Sequence, residues 1–212
     1  MYDLINQSAQ TVVDTIPTEH VTEYEWLIQN MAQATAPDYQ KRYRRYWAMN
    51  AAQLSPAFYS AYFGALNAAV GQPPTLSSVA QTLHGASSRK NGQKSLQFSF
   101  ATKLLHMTNP RLPIYDSQVA AFYFFQEPEI KDPDDPKDLR RRISVFIRFH
   151  RFLRREHKRV LQHNLLATSI QEFRLRLNPQ RFTDEKIVDS LIWAFVGLLW
   201  KGALPKGQIV YS

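Results

Sequence analysis

The sequence predicts an all-α protein, built as one helical domain over residues 1–212 or as two closely packed helical subdomains. Apolar residues recur at three- and four-residue spacing through nearly every long segment, and no run alternates long enough for a sheet. Prolines and short polar stretches punctuate the chain between these periodic segments.

In chain order, helical periodicity spans 2–16 and 19–35, with Pro17 between them. Pro37 and Pro56 suit a first helical turn, where a missing N–H breaks no bond, and open helices over 37–54 and 56–71. After Pro73-Pro74, helices over 76–83 and 95–108 flank the polar stretch 85–94, and Asn109-Pro110 ends the second. A short helix over 117–126 leads to 127–137, acidic and carrying Pro128, Pro133 and Pro136, where two subdomains would divide. Long helices follow over 138–164, 165–177 and 184–201. The last has Thr183 as its N-cap, Asp184 and Glu185 in its first turn, and Gly202 beyond its end. Its middle is apolar nearly all round, through Ile192, Trp193, Phe195, Leu198, Leu199 and Trp200. That pattern predicts a central helix whose tryptophans pack in the core.

With 44% hydrophobic and 13% aromatic residues, the chain can bury a sizeable core. It has no cysteine, which excludes disulfides, iron–sulfur clusters and thiolate zinc sites and is compatible with a reducing compartment. The segment 1–15 is polar and lacks the apolar centre of a leader. The most apolar stretch, 191–200, reaches about half of a roughly 30 Å hydrocarbon layer, so a membrane partner is not expected. A soluble cytoplasmic protein is the expectation.

The charge is local. Between residues 140 and 159 lie nine basic residues against Glu156 alone, which accounts for the whole net charge of +8. At about 100° per residue, Ile143, Val145, Phe146, Ile147, Phe149, Phe152, Leu153, Val160 and Leu161 fall on one arc of this helix. Arg140, Arg141, Arg148, Arg151, Arg154, Arg155, Lys158 and Arg159 fall on the other, and only Arg142 strays. Stacking like charges costs a few tenths of a kcal/mol per pair, and arginine's planar fork suits phosphate, so the arc points to nucleic acid. The competing occupants are the acidic loop 127–138 or an acidic partner protein. A second basic-aromatic run, Lys41-Arg42-Tyr43-Arg44-Arg45-Tyr46-Trp47, would either extend a nucleic-acid track or turn its rings inward.

Chemistry is most plausible in FSFATKLLHMTNPRLPIYDSQV, residues 98–119. A helix ends at Asn109, a short extended stretch follows through Pro113, and Asp116 stands at the N-cap of the next helix. A capping role, worth about 1 kcal/mol, accounts for an aspartate there without any further function. The run Pro113-Ile114-Tyr115-Asp116-Ser117-Gln118-Val119 also resembles the Pro-Val-Asp-Thr-His-Val segment of the helix-hairpin-helix DNA glycosylase superfamily. The resemblance covers about residues 83–126. It implies an all-α enzyme that flips a damaged or mismatched base from DNA, with Asp116 as the catalytic carboxylate favouring rupture of the N-glycosidic bond. The family's phosphate-holding hairpin would fall at Leu83-His84-Gly85 or Asn91-Gly92. Its lyase lysine has no counterpart, since Lys94 lies too early and Lys103 well inside the helix. The implied activity is therefore monofunctional base release, with no cofactor.

Beside this segment, Arg89, Lys90, Asn91, Gly92 and Lys94 have the composition of a phosphate-contacting turn. The histidines form no metal site; His150 and His157, seven apart, read as helix-interface residues. No phosphate-binding, dinucleotide-binding, nucleophile-elbow or zinc-protease motif is present. Three readings stand: a glycosylase-like enzyme acting on DNA, a non-catalytic nucleic-acid-binding module using the 140–159 face, and an interaction domain meeting an acidic protein.

Overall fold

The computed structural model describes residues 1–86, 94–132 and 135–204, and their only regular secondary structure is helical. The expected first helix is two, α1 (Tyr2–Gln7) and α2 (Ala9–Asp14), broken at Ser8. Periodicity does not register this kink because both halves bury the same stripe, Ile5, Ala9, Val12 and Val13. Asn6 is drawn off that stripe: its amide donates to Leu165 O at 2.9 Å, and its Oδ1 accepts from Ser169 Oγ at 2.9 Å. α3 is Thr18–Gln29 and α4 is Pro37–Tyr46. The expected continuation of α4 to Leu54 is replaced by a 3-10 turn, Met49–Ala52, between Ala48 and Gln53, both left-handed.

α5 (Pro56–Ala69) opens on Ser55, whose hydroxyl accepts from Phe58 N–H, and α6 (Leu76–Gly85) on Thr75, which accepts from Ser78 N–H. α7 (Phe98–Thr108) stops at Asn109, before the proline. α8 is Ser117–Phe122, four residues shorter than expected because Phe124 turns left-handed and closes it. α9 (Pro136–Gln162) is the long basic helix, α10 is Ala167–Leu177, and α11 is Asp184–Trp200, capped by Thr183 and followed by a left-handed Gly202. No helix among the described residues is long and apolar enough to cross a membrane.

α11 runs through the middle, packed on α2, α8, α9 and α10. Ile187, Val188, Leu191, Ile192 and Phe195 expose nothing, each worth about 1.5–3 kcal/mol of burial. α8 approaches most closely. Gln118 donates to Trp193 O at 3.1 Å, and a Cβ on Gly197 would meet the Gln118 amide at 3.3 Å, so glycine serves that mid-helix position. The expectation for the tryptophans fails: Trp193 is 40% and Trp200 62% exposed. The apolar girdle is wider than the core it meets, and one flank of α11 borders a cavity instead. Phe152, expected on the buried arc, is 37% exposed at that arc's edge.

Candidate functional site

Asp116 is presented by a linker held on every side. Nδ1 of His106, on α7, donates to Leu112 O at 2.6 Å, while its Nε2 accepts from Tyr24 OH at 2.8 Å. Nε2 of His150, on α9, donates to Pro113 O at 3.0 Å. Ile114 N–H donates to Asp189 Oδ2, on α11, at 3.2 Å, and Tyr115 N–H to Thr102 Oγ1, on α7, at 3.0 Å. Four consecutive residues of extended chain, which a helix or sheet would normally satisfy, are thus bonded by side chains from three helices. Such bonding fixes the position of Asp116. Its Oδ1 accepts from Val119 N–H at 2.9 Å, completing the cap of α8, and the second oxygen is not used by the cap.

A cavity of about 190 Å³ lies against this carboxylate. That is below the ~300–1,000 Å³ of sites for drug-sized ligands and suits one small planar group. His20, Tyr46, Trp47 and Trp193 supply aromatic wall, while Lys103, Asp116, Lys186, Asp189 and Ser190 supply polar groups. The His20 ring stacks on Tyr46 at 4.8 Å and lies parallel to Trp193 at 6.0 Å, with an interplanar angle of 5°. Nε2 of His20 pairs with Tyr46 OH at 2.9 Å, and burial lowers its pKa to about 3, so this ring is neutral.

The sequence reading passed over the α11 wall. Lys186, Asp189, Ser190 and Trp193 stand at i, i+3, i+4 and i+7, one face of the helix, and all line the cavity. The available signal was ionisable residues within an apolar helix, where such groups are scarcely ever buried. Lys186 is 3% and Asp189 4% exposed. Burial depresses the Lys186 ammonium to about 8, opposed by the charges of Asp189 and Asp116, and it lies 5.2 Å from the Tyr24 ring centre and 5.3 Å from that of Trp47. Burial likewise pushes the Asp189 carboxyl well above the usual carboxylate range, against the pull of Lys186. The Lys103 ammonium is lowered by burial too, and Asp116 opposes this. Among the described residues, Trp47 Nε1, Asp189 Oδ1 and Ser190 Oγ are buried without a hydrogen-bond partner, Asp189 Oδ1 lying 3.6 Å from His157 Nε2. An unsatisfied buried polar group costs about 1–3 kcal/mol, so this wall is polar at some expense to stability.

The cationic arc of α9 is real and lies elsewhere. Arg140, Arg141, Arg148, Arg151, Arg154, Arg155, Lys158 and Arg159 are all exposed, and Arg142 is buried at the helix start. Among the described residues only two of the eight are held in ion pairs, Arg141 by Asp138 and Arg159 by Glu156. The acidic loop meets this arc at one end, where Glu129 O accepts from Arg141, while Glu127 accepts from Tyr115 OH. α9 supplies none of the cavity lining; His150 and His157 point toward Pro113 and Asp189, and the arginines turn away.

The second basic-aromatic run does not form a track. Tyr43 and Trp47 are buried, Arg42 and Arg45 both bond Glu23, and Arg42 stacks 3.6 Å over Trp26. Lys94 is exposed, whereas Arg89, Lys90, Asn91 and Gly92 lie outside the described residues. Compared with known proteins, the chain matches no family model, no curated protein and no solved structure.

Proposed function

We propose that the protein binds DNA and releases a base from it, hydrolysing the N-glycosidic bond of a nucleotide turned out of the helix into the Asp116 cavity. The supporting observation is Asp116 itself, held rigidly at the edge of a small aromatic-walled cavity and leaving one carboxylate oxygen beyond its cap. A small cavity lined by His20, Tyr46, Trp47 and Trp193 suits a planar heterocycle extracted from its stack. As the C1′–N bond breaks, its electron pair leaves with the base and positive charge develops on the sugar, where a fixed carboxylate in low dielectric is most effective. Lys186 and Asp189, which line the same cavity, supply the proton that the departing base takes up. Water then adds to C1′ and loses its proton, so no cofactor enters the balance. The resemblance of residues 113–119 to helix-hairpin-helix glycosylases supports the same reading.

The test is Asp116→Asn, which keeps a capping oxygen and removes the charge. Free base released from duplexes carrying deaminated, oxidised, alkylated or mispaired bases is measured, with thermal unfolding as the control. Loss of release from a stably folded variant supports the reading, and undiminished release overturns it. The exposed arc of α9 favours a second component, sequence-independent attachment to the nucleic-acid backbone away from the cavity.

A further inference from the structure

Phe124 stands in a position that glycine normally fills. Its N–H bonds to Ala121 O at 3.2 Å, and the next N–H, of Phe125, reaches back to Ala120 O at 2.9 Å. This is the paired closure that ends a helix with one left-handed residue, and Phe124 is that residue, at φ 54°. Left-handed backbone is strained for any side chain with a Cβ and more so for a bulky one. The strain brings no packing in return, because Phe124 is 77% exposed. Folding and solubility would both be served better by glycine here.

The neighbours of Phe124 fix where the turn that carries it sits. Tyr123 packs edge-on against Phe152 with ring centres 5.3 Å apart, and Phe125 stacks on Phe149 at 4.0 Å. The α8 terminus is therefore pinned along one flank of α9, beside the partly exposed Phe152. Arg148, Arg151 and Arg155, at i−4, i−1 and i+3 from Phe152, are all exposed there. Glu156, the acidic side chain nearest on the helix, is occupied by Tyr2 and Arg159. The surface thus combines a row of arginines with the partly exposed ring of Phe152 at its edge and the exposed ring of Phe124 on the adjoining turn.

We propose that this surface binds single-stranded nucleic acid, its phosphates along Arg148, Arg151 and Arg155 and unpaired bases stacked on Phe124 and Phe152. Charge complementarity selects the polyanion, and the rings select unpaired bases, because bases already stacked in a duplex offer no free face. The site is separate from the Asp116 cavity and rests only on the reading of the α9 arc as a nucleic-acid surface.

Binding of labelled oligo-dT and of a duplex of equal length is compared for wild type, Phe124→Gly, Phe152→Ala and Arg148→Glu/Arg151→Glu/Arg155→Glu. Phe124→Gly relieves a left-handed residue and is expected to raise the melting temperature. It should weaken oligo-dT binding about tenfold while leaving duplex binding and the salt slope unchanged. Phe152→Ala should act in the same direction. The triple arginine variant should weaken both ligands and flatten the salt dependence. Unchanged oligo-dT affinity in both aromatic variants, or equal losses on duplex, overturns the proposal while the arc remains a backbone-binding surface. Unchanged affinity in the arginine variant overturns that underlying reading as well.

Discussion

Nε2 of His157 lies 3.6 Å from Oδ1 of Asp189, with neither side chain open to solvent. The contact joins the inner face of α9 to the wall of the Asp116 cavity. Asp189 spans the two, since its Oδ2 also takes the Ile114 N–H of the linker. A group that positions the linker, lines the cavity and touches the basic helix makes the protonation of this region a matter of stability as well as chemistry.

Acid should therefore unfold the protein at mild pH. Burial lowers His20 and His106 to about 3 and His150 and His157 to about 4. Below about pH 6.5 the unfolded chain takes up four protons that the folded chain refuses, so their contribution to stability is lost as pH falls towards 4. Asp189 works in the other sense: its raised pKa lets the folded state hold a proton that the unfolded chain has already released above about pH 4. The four histidines outweigh the one carboxyl, so stability falls as pH drops from about 6.5 towards 4, by a few kcal/mol per pH unit. Urea unfolding at pH 7, 6 and 5 measures it, and a flat profile would contradict the burial of these rings.

Asp116→Asn is expected to shift the melting temperature by no more than a few degrees, since asparagine caps nearly as well as aspartate. Base release should fall by at least about 100-fold, the scale on which a fixed electrostatic group acts at a developing charge. Calorimetry and single-turnover release read the two quantities separately.

Lys186→Met replaces a buried ammonium by an apolar side chain of similar length. Removing one member of a buried charged group costs up to about 3–5 kcal/mol, but Asp189 can relieve this by holding a proton, so thermal unfolding is measured alongside. In wild type, release should decline as pH rises past about 8, where Lys186 gives up its proton. The variant should lack that limb of the pH profile. If the limb survives, the proton comes from another group.

Trp193→Ala should barely affect stability, because the indole is 40% exposed, yet it removes one face of the cavity. Base–aromatic stacking is worth about 1–3 kcal/mol, which corresponds to a rise in KM of roughly tenfold or more. A change in kcat alone, with KM untouched, would argue against a stacking role.

Among the stripe cations, Arg141→Ala and Arg159→Ala should alter DNA affinity less than Arg148→Ala or Arg155→Ala. The first two already spend their charge on Asp138 and Glu156. Binding titrations across a range of salt concentrations distinguish the pairs, and equal effects would mean those ion pairs open on binding.

The residue order alone determined that the chain is helical, where proline and capping side chains start its helices, and that one helix carries a polar arc. Each of these depends on neighbours within a few turns, so spacing suffices: Thr183 and Asp116 cap as their positions imply, and the eight stripe cations all face outward. Tertiary structure decided the rest. Trp193 and Trp200 fall outside the core because the width of an apolar girdle does not say how much of it neighbours cover. Lys186 and Asp189 meet Asp116 only because α11 packs against α8, bringing together residues some 70 positions apart. The cationic arc faces away from the linker and from Asp189, set by which side of α9 His150 and His157 carry inward. Local periodicity fixes which residues share a face, whereas the docking of helices fixes what that face meets.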